Sequence, residues 1–534
     1  MKKNKIRVAV LSDGNELYAW QYKVLQDIQN SNYSSLIVNI KKKTNSYTIK
    51  RQWAWNMFRK LDYLLFRPSP NAMAPLSYAT SFFKENLVYI SENNINTKEL
   101  REYNLDVIIN FSNSSPTAKL TSLSKFGIWD LVHSDTKNNR KGPPGVWELI
   151  LGLPMIEASL IHYSSGTDHP EILDRTIACT DWISYSRNAN IIYWQAYPLI
   201  NRNLKRLFED RELKHTKKNI WKEDIPQVNT PYEYPCTRVL LRHTVKTIFK
   251  KITQLITNNI YFDQWILIIN NSRNSSQYDL SHYKRILPPK DRFWADPFLI
   301  KRNGKYYIFM EELIYKKKIG HLAVMELDEK GNYTTPKTIL KKPYHLSYPF
   351  LFEDQGHLYM IPETAEAKEI QLYKCTNFPY EWQLEKVLMK DIIAVDATVY
   401  KKDGLYWMFT NLKVAKGMSS NIELFLFYSK ELVSDEWTPH PMNPIVTDIQ
   451  KARPAGQLFL DKGNLMRPSQ NCSHHYGYGL SINEITRMDK SNFEEVTLNS
   501  IKPDWQKDVF CTHTYNSCDN IFISDVQIKR RRFF

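Results

Sequence analysis

The hydrophobic and polar positions change their periodicity twice along the chain, which divides it into three regions. Before about residue 200, short apolar runs alternate with segments of helical spacing. Lys5–Leu11 and Asn104–Phe111 are predicted as buried strands, and Leu17–Ile28 between them as a helix. Strand, helix and strand in this order indicate a parallel sheet with crossover helices. We therefore expect an α/β domain over residues 1–200.

The second region, residues 201–262, is rich in charge and carries one amphipathic segment. In Tyr234–Ile256 the apolar side chains fall on one stripe, which basic side chains flank. The stripe consists of Leu241, Val245, Ile248, Ile252 and Leu255, and the basic residues are Arg242, Lys246, Lys250 and Lys251. A linker helix packed between domains is the simpler interpretation. The alternative is a helix that lies on an anionic membrane surface.

From residue 263 to residue 534 a hairpin pattern recurs, in which an apolar strand, a polar turn and an aromatic strand follow one another. The turn positions, spaced 52, 48, 59 and 57 residues apart, are Gly304, Gly356, Gly404, Gly463 and Asn520. Asn520 is an acceptable replacement because Asn, like Gly, tolerates a positive φ. Repeats of about 50 residues, each long enough for four strands, predict a five-bladed β-propeller.

Composition and charge narrow the class of protein. Of the 534 residues, 43% are hydrophobic and 24% charged, which is typical of globular chains. The net charge of +16 favours anionic partners such as phosphorylated sugar donors or acidic lipids. No run of eighteen apolar residues occurs, and the six cysteines form no CxxC pair. We expect a cytoplasmic protein, or one peripheral to the membrane, without a structural metal.

The segment 127–173 contains a histidine, a Lys-Gly-Pro-Pro loop and a Gly-Thr-Asp turn in series. In this it resembles the folate-dependent formyltransferases that act on methionyl-tRNA or on amino sugars. The resemblance implies a Rossmann-like domain, catalysis by His133 and Asp168, and 10-formyltetrahydrofolate held near Gly142. An imidazole and a carboxylate can stabilise the oxyanion and remove the amine proton. Leu131 stands where that family has asparagine, so a degenerate domain is the alternative.

In a propeller the innermost strands lie side by side around the centre, so equivalent repeat positions form a ring. Asp296 and Asp396 occupy equivalent positions, and Tyr348 stands between them in the second copy. Two carboxylates in one cavity suit acid/base chemistry at an anomeric carbon. The predicted catalytic residues here are thus Asp296 and Asp396. The predicted substrate contacts are Trp294, Glu312, Glu363, Arg453 and Arg467.

Five motifs of the repeats carry a second resemblance. They are WADPF (294–298), YPFLF (348–352), MIPET (360–364), DATVY (396–400) and RPAGQ (453–457). Together they resemble the N-terminal domain of glucosamine inositolphosphorylceramide transferases, which implies sugar transfer in glycolipid assembly. The first motif also resembles the first blade of glycoside hydrolase family 43-like proteins, which implies that Asp296 is a base.

These observations predict a carbohydrate-active transferase of cell-surface polysaccharide or glycolipid biosynthesis, whose partner is a nucleotide- or lipid-linked sugar. Two alternatives stay open: a non-catalytic glycan-binding scaffold, and a sugar-amine N-formyltransferase. A nucleic-acid partner is not expected, because the tRNA enzymes are similar only to the first domain and lack the long propeller.

Overall fold

The structure is a computed structural model, and it describes part of the chain. The described residues are 3–13, 16–42, 53–77, 82–83, 87–90, 97–112, 117–133, 142–165, 170–213, 234–270, 278–328 and 331–532. The chain forms two compact units. One comprises Met1–Thr247 with Ala415–Met418, and the other Ile248–Val414 with Ser419–Phe534. The division falls inside the basic amphipathic helix.

The first unit is an α/β unit. Its strands are β1 (Ile6–Ser12), β2 (Glu16–Tyr18), β3 (Ser34–Lys42), β4 (Pro75–Ser77), β5 (Leu87–Ile90), β6 (Val107–Asn110), β7 (Ile128–Val132), β8 (Met155–Tyr163) and β9 (Glu171–Cys179). Its helices are α1 (Ala19–Asn30), α2 (Trp53–Leu65), α3 (Thr97–Glu102), α4 (Ala118–Thr121), α5 (Val146–Leu151) and α6 (Tyr185–Asp210). The helix α7 (Thr237–Ile260) begins in this unit.

Seven of these strands form one sheet, in the order β5-β3-β1-β6-β7-β8-β9. The pairs from β5 to β7 are parallel, as the strand–helix–strand pattern predicts. The pairs of β8 with β7 and with β9 are antiparallel, which the pattern did not indicate. The relation of this unit to the formyltransferases stays a prediction.

The second unit is the five-bladed propeller. Its strands are β10 (Tyr261–Asn270), β11 (Lys284–Ile286), β12 (Arg292–Arg302), β13 (Lys305–Ile314), β14 (Gly320–Leu327), β15 (Lys337–Leu340), β16 (Ser347–Asp354), β17 (His357–Glu363), β18 (Glu369–Asn377), β19 (Glu381–Lys390), β20 (Ala394–Lys402), β21 (Leu405–Leu412), β22 (Leu424–Ser429), β23 (Thr438–Pro439), β24 (Phe459–Asp461), β25 (Asn464–Asn471), β26 (Gly479–Met488), β27 (Phe493–Ile501), β28 (Val509–Cys511), β29 (Tyr515–Cys518) and β30 (Ile521–Arg531).

The first four blades are four-stranded sheets in sequence order: β12–β15, β16–β19, β20–β23 and β24–β27. The fifth blade joins both ends of the unit, because β10 pairs antiparallel with β30 from Tyr261 opposite Arg531 to Asn270 opposite Phe522. Apolar side chains of neighbouring blades pack between the sheets, for example Phe298 of the first blade with Phe350 of the second. This closure pairs the edge strands that an open arrangement of sheets would leave free.

The hairpin turns behave as predicted in four blades, where Gly304, Gly356, Gly404 and Gly463 all have positive φ. In the fifth blade the positive φ falls on Asp519 and not on Asn520. The expectation that Asn520 takes over the role of the turn glycine was therefore wrong. Asp, like Asn, tolerates the left-handed region because its short side chain bonds locally.

At the other end of the inner strands, the first three blades share a local irregularity. Asp296, Tyr348 and Asp396 have φ of 51°, 46° and 53°, and the pairing with the second strand shifts at each of them. Such a bulge turns a side chain out of the regular alternation of the strand. Non-glycine residues with positive φ are uncommon and concentrate at functional sites. The repeat therefore places three special positions where the blades converge.

Candidate active site at the propeller hub

The starts of the inner strands bring together side chains of all five blades. We call this set the hub, and its central members are Asp296, Tyr348, Asp396, Arg453 and His513. Asp296 of the first blade is contacted from the fifth: the Thr514 hydroxyl donates to its Oδ1 at 2.9 Å, and His513 Nε2 lies 3.6 Å from Oδ1. Asp525 Oδ2 accepts from the Asp296 backbone N–H at 2.8 Å and lies 2.8 Å from His513 Nδ1. One histidine is thus held between two buried carboxyl groups.

The electrostatics of this first cluster favour a shared proton. Burial above all raises the pKa of Asp296 to about 7, with His513 opposing the rise and the charge of Asp525 adding to it. Burial alone would lower the pKa of His513, but Asp525 and Asp296 outweigh it and raise the pKa to about 9. The Trp265 ring is stacked on His513 with centroids 4.0 Å apart, which fixes the imidazole plane. A carboxyl group near neutral pKa is suited to act as a general base.

A second cluster lies where the third and fourth blades meet. Arg453 donates through Nε to Asp396 Oδ2 at 2.6 Å and through Nη2 to Asp396 Oδ1 at 3.3 Å. Its Nη2 also donates to Glu363 Oε2 at 3.3 Å, and its Nη1 to Asn421 Oδ1 at 2.9 Å. Gln470 adds a hydrogen bond to Asp396 Oδ2 at 3.1 Å. The guanidinium is therefore the cation around which two carboxyl groups are arranged.

Within this second cluster the two carboxyl groups differ. Burial, and next to it the negative charge of Asp396, hold the pKa of Glu363 well above its usual range, although Arg453 opposes them. Glu363 is thus favoured as the neutral acid, able to donate a proton. The Tyr476 ring covers the guanidinium of Arg453 at 4.9 Å and is itself 44% exposed, so an aromatic face marks the solvent side of the cluster. Sugar rings stack on such faces.

Tyr348 connects the two clusters and fills the centre. Its backbone N–H donates to Asp296 Oδ2 at 3.2 Å, and its hydroxyl lies 2.8 Å from Thr398 Oγ1. The same hydroxyl accepts from the Gly456 N–H of the fourth blade at 2.8 Å. A Cβ on Gly456 would lie 2.2 Å from the Tyr515 carbonyl, so this approach requires glycine. The structure therefore places Asp296 and Asp396 in one hub, but a fully buried tyrosine occupies the expected hole.

Two other predicted substrate contacts, Trp294 and Glu312, are bonded to each other within the first blade. Trp294 donates its indole N–H to Glu312 Oε1 at 3.0 Å, and Arg292 and His321 also bond Glu312, at 3.2 and 3.1 Å. Burial alone would raise the pKa of Glu312, but these donors outweigh it and lower the pKa to about 2. Trp294 is 4% exposed, so the pair supports the first blade and offers little surface to a ligand.

Arg467 lies outside the hub. Its guanidinium donates to both carboxylate oxygens of Glu495, at 2.8 and 2.9 Å, and to the Lys451 carbonyl at 2.7 Å. Arg467 and Glu495 belong to β25 and β27, so this ion pair joins strands of one blade. Arg467 stays a predicted substrate contact, with a side chain that is only 1% exposed.

The predicted formyl-transfer residues are only partly within the described residues. His133 follows β7, and its ring packs against Trp20 and Tyr193 with centroids 5.5 and 4.4 Å away. Its Nε2 is buried without a hydrogen-bond partner in the described part of the chain, and burial lowers the pKa of His133 to about 3. Gly142 is described and half-buried, whereas Asp168 lies outside the described residues. Leu131, at the family asparagine, is buried.

Sequence reasoning missed several hub residues. His513 lies in the fifth copy of the hairpin pattern, at a position where the other copies have no histidine. Asp525 lies on β30, the last strand, and no repeat position singles it out. With Asp296 they form a set whose ligand atoms lie within 4.8 Å of one another, which is the spacing of a cation site. The two carboxyl groups also accept hydrogen bonds from the Thr514 hydroxyl and from backbone N–H groups.

Comparison with known proteins places the similarity in the propeller. A family model described as "Glucosamine inositolphosphorylceramide transferase 1, N-terminal" matches residues 287–521. The protein of this name from Oryza sativa subsp. japonica is 36% identical over 210 residues, which are 39% of this chain and 28% of that protein. The Arabidopsis thaliana protein is 34% identical over 207 residues, 38% and 27% of the two chains. The chain thus spans less than a third of the length of these relatives.

Among solved structures, the RS223 β-xylosidase aligns over 45% of this chain and 97% of its own, with 12% identity and a TM-score of 0.32. At this level the likeness carries no argument about function. The five sheets themselves establish the propeller. Asp296, Glu363, Asp396, Arg453 and His513 all fall within the segment that the family model matches.

Proposed function

We propose that the propeller transfers a glycosyl group from an activated sugar to a hydroxyl acceptor in glycolipid or surface-polysaccharide assembly. The observation that carries this proposal is the hub itself, where a carboxyl group with a pKa of about 7 lies in the segment similar to a glycolipid glycosyltransferase. Acid/base groups poised near neutral pH, gathered where strands converge, are the usual mark of a catalytic site.

In the proposed step Asp296 is the base. Its carboxylate takes the proton of the acceptor hydroxyl as the acceptor oxygen bonds to the anomeric carbon. The bond from that carbon to the leaving oxygen of the activated donor breaks, and the leaving group departs with the electron pair. His513, cationic when its pKa is about 9, stabilises the Asp296 carboxylate before the transfer.

Glu363 is the proposed acid at the leaving oxygen, because its pKa is held above its usual range. Arg453 and Asp396 are positioning residues: the bidentate ion pair fixes the guanidinium, and the guanidinium fixes Glu363. Tyr476 is the proposed stacking face for a sugar ring. The donor class is a nucleotide- or lipid-linked sugar, and the names of the relatives suggest a phosphoinositol-bearing sphingolipid as acceptor.

The test is transfer by the purified chain, measured by mass spectrometry with a panel of nucleotide- and lipid-linked sugars and inositol phospholipid acceptors. With the productive pair, Asp296→Asn should lower kcat/KM about 100- to 10,000-fold, the usual contribution of a general base. Asp435→Asn, which changes an aspartate 83% exposed, is the matched control and should keep the wild-type value. Full activity in Asp296→Asn would overturn the assignment. Sugar binding without turnover would instead favour a glycan-binding scaffold.

A second candidate function is N-formylation of an amino sugar with 10-formyltetrahydrofolate, in the α/β unit. The observation in its favour lies at the carboxyl ends of two neighbouring parallel strands, where such sheets bind ligands. Asn110 ends β6 and donates to Asp130 Oδ2 at 3.1 Å, and His133 follows β7. Burial above all raises the pKa of Asp130 to about 6. Formyl transfer that His133→Ala abolishes and Asp296→Asn preserves would favour this function.

A further inference from the structure

The basic amphipathic helix α7 exposes its apolar stripe. Leu241, Val245, Ile248, Ile252 and Leu255, the five predicted stripe residues, are 50–65% exposed. Phe249, Ile256 and Ile260 extend the stripe and are 71%, 58% and 48% exposed. The predicted stripe is therefore exposed along its whole length. Exposed apolar surface of this extent marks a binding face.

The charges of α7 have one sign. The helix contains five arginines and lysines and no acidic residue over Thr237–Ile260. At 100° per residue, Lys251 lies on one side of the stripe, Arg242 and Lys246 lie on the other, and Lys250 lies opposite it. Cationic side chains on both sides of an apolar stripe are the arrangement of a helix that lies in the interface of an anionic membrane.

Within the α/β unit, α2 extends this surface beside the start of α7. Trp55 of α2 packs with Leu240 of α7 in one buried cluster, and the Phe58 ring lies 6.4 Å from that of His243. The opposite side of α2 is apolar and exposed by 52–74%: its side chains are Trp53, Met57, Leu61, Leu64 and Leu65. Two neighbouring helices thus turn large apolar residues to solvent.

Within the propeller unit, the end of β30 adds positive charge beside the last turn of α7. Arg532 donates through Nε to the Asn258 carbonyl, and its backbone N–H to the Ile260 carbonyl, both at 2.9 Å. Lys529 and Arg531 are exposed on the same strand. The cationic field around α7 therefore includes residues far from it in the sequence.

We propose that α7 binds anionic phospholipid bilayers, with its apolar stripe inserted between the headgroups. The charge argues for this occupant. A second copy of the chain would bring two sets of five like charges together, whereas anionic lipid complements them. No described helix is long and apolar enough to cross a membrane, and an interfacial helix has no need to be.

The test is co-flotation of the full chain with vesicles of phosphatidylcholine alone or with 30 mol% (about a third) phosphatidylglycerol. The wild type should bind the anionic vesicles at least ~10-fold more tightly, and less tightly as salt screens the charges. Phe249→Ser with Ile252→Ser should lower binding ~10-fold or more, and so should Arg242→Gln with Lys246→Gln. These side chains are exposed, so the variants should fold.

Matched controls lie on the propeller surface. Val496→Ser with Leu498→Ser changes two apolar side chains 52% and 49% exposed, and Lys317→Gln with Lys430→Gln removes two exposed charges. Both controls should bind like the wild type. Equal binding to neutral vesicles, or unchanged binding of the α7 variants, would overturn the proposal. So would a light-scattering mass that halves in Phe249→Ser with Ile252→Ser, because a second copy would then cover the stripe.

Discussion

The first and third blades present the same residue at the same strained position and give it different partners. Asp296 and Asp396 share a positive φ and a shifted register, but Asp296 faces His513 whereas Asp396 holds Arg453. An imidazole can gain and lose a proton, while a guanidinium stays charged at every accessible pH. The repeat supplies two equivalent carboxyl groups, and in the proposed reaction their partners divide the work: Asp296 exchanges the proton, and Asp396 orients a cation.

The difference also shows why symmetry alone does not identify a catalytic residue. Asp396 is 2% exposed and both its oxygens are bonded to Arg453, with a further bond from Gln470. Because a guanidinium does not give up its proton, Asp396 suits a positioning role better than proton transfer. The equivalence of ring positions is therefore only half of the description, and the neighbours from other blades complete it.

The largest effect that separates the two clusters is expected for Arg453→Met. This change leaves the buried Asp396 and the partly buried Glu363 without their cation, and breaking a buried pair by removing one partner costs about 3–5 kcal/mol. Urea unfolding should show this loss. Adding Asp396→Asn should restore part of it, because the uncompensated charge is then gone. A loss below about 1 kcal/mol would show that Arg453 is not the centre of the cluster.

A smaller effect is expected at Glu312, which supports the first blade. Its pKa is lowered from an ordinary value near 4.5 to about 2, so its stabilising contribution is present above pH 4.5 and lost as the pH falls through 2. A shift of this size corresponds to roughly 3 kcal/mol at most. Unfolding free energies measured between pH 2 and pH 6 should therefore fall less steeply with acid in Glu312→Gln than in the wild type. An equal loss of unfolding free energy in the two proteins as the pH falls would contradict this account of the first blade.

The sequence predicted the periodic features well, because a repeated hairpin imposes the same turn and the same strand start on each blade. It identified Asp296 and Asp396 as equivalent, and both lie in the hub. It could not indicate that Tyr348 fills the centre or that His513 and Asp525 flank Asp296, because these contacts join residues up to 229 positions apart. The sequence also assigned Arg467 and Glu312 to the substrate. It could not show their ion pairs, because these depend on how the strands pack within a blade.

The most direct test of the central claim is an infrared titration of the protonated carboxyl groups in the wild type, Asp296→Asn and Asp396→Asn. The account predicts a buried carboxyl group that titrates near pH 7, with its signal present below that pH and lost above it. The component near pH 7 should disappear in Asp296→Asn and persist in Asp396→Asn, and the component of Asp130 near pH 6 should persist in both. A wild-type titration near pH 7 that survives unchanged in Asp296→Asn would contradict the claim that the first blade carries the proton-exchanging group.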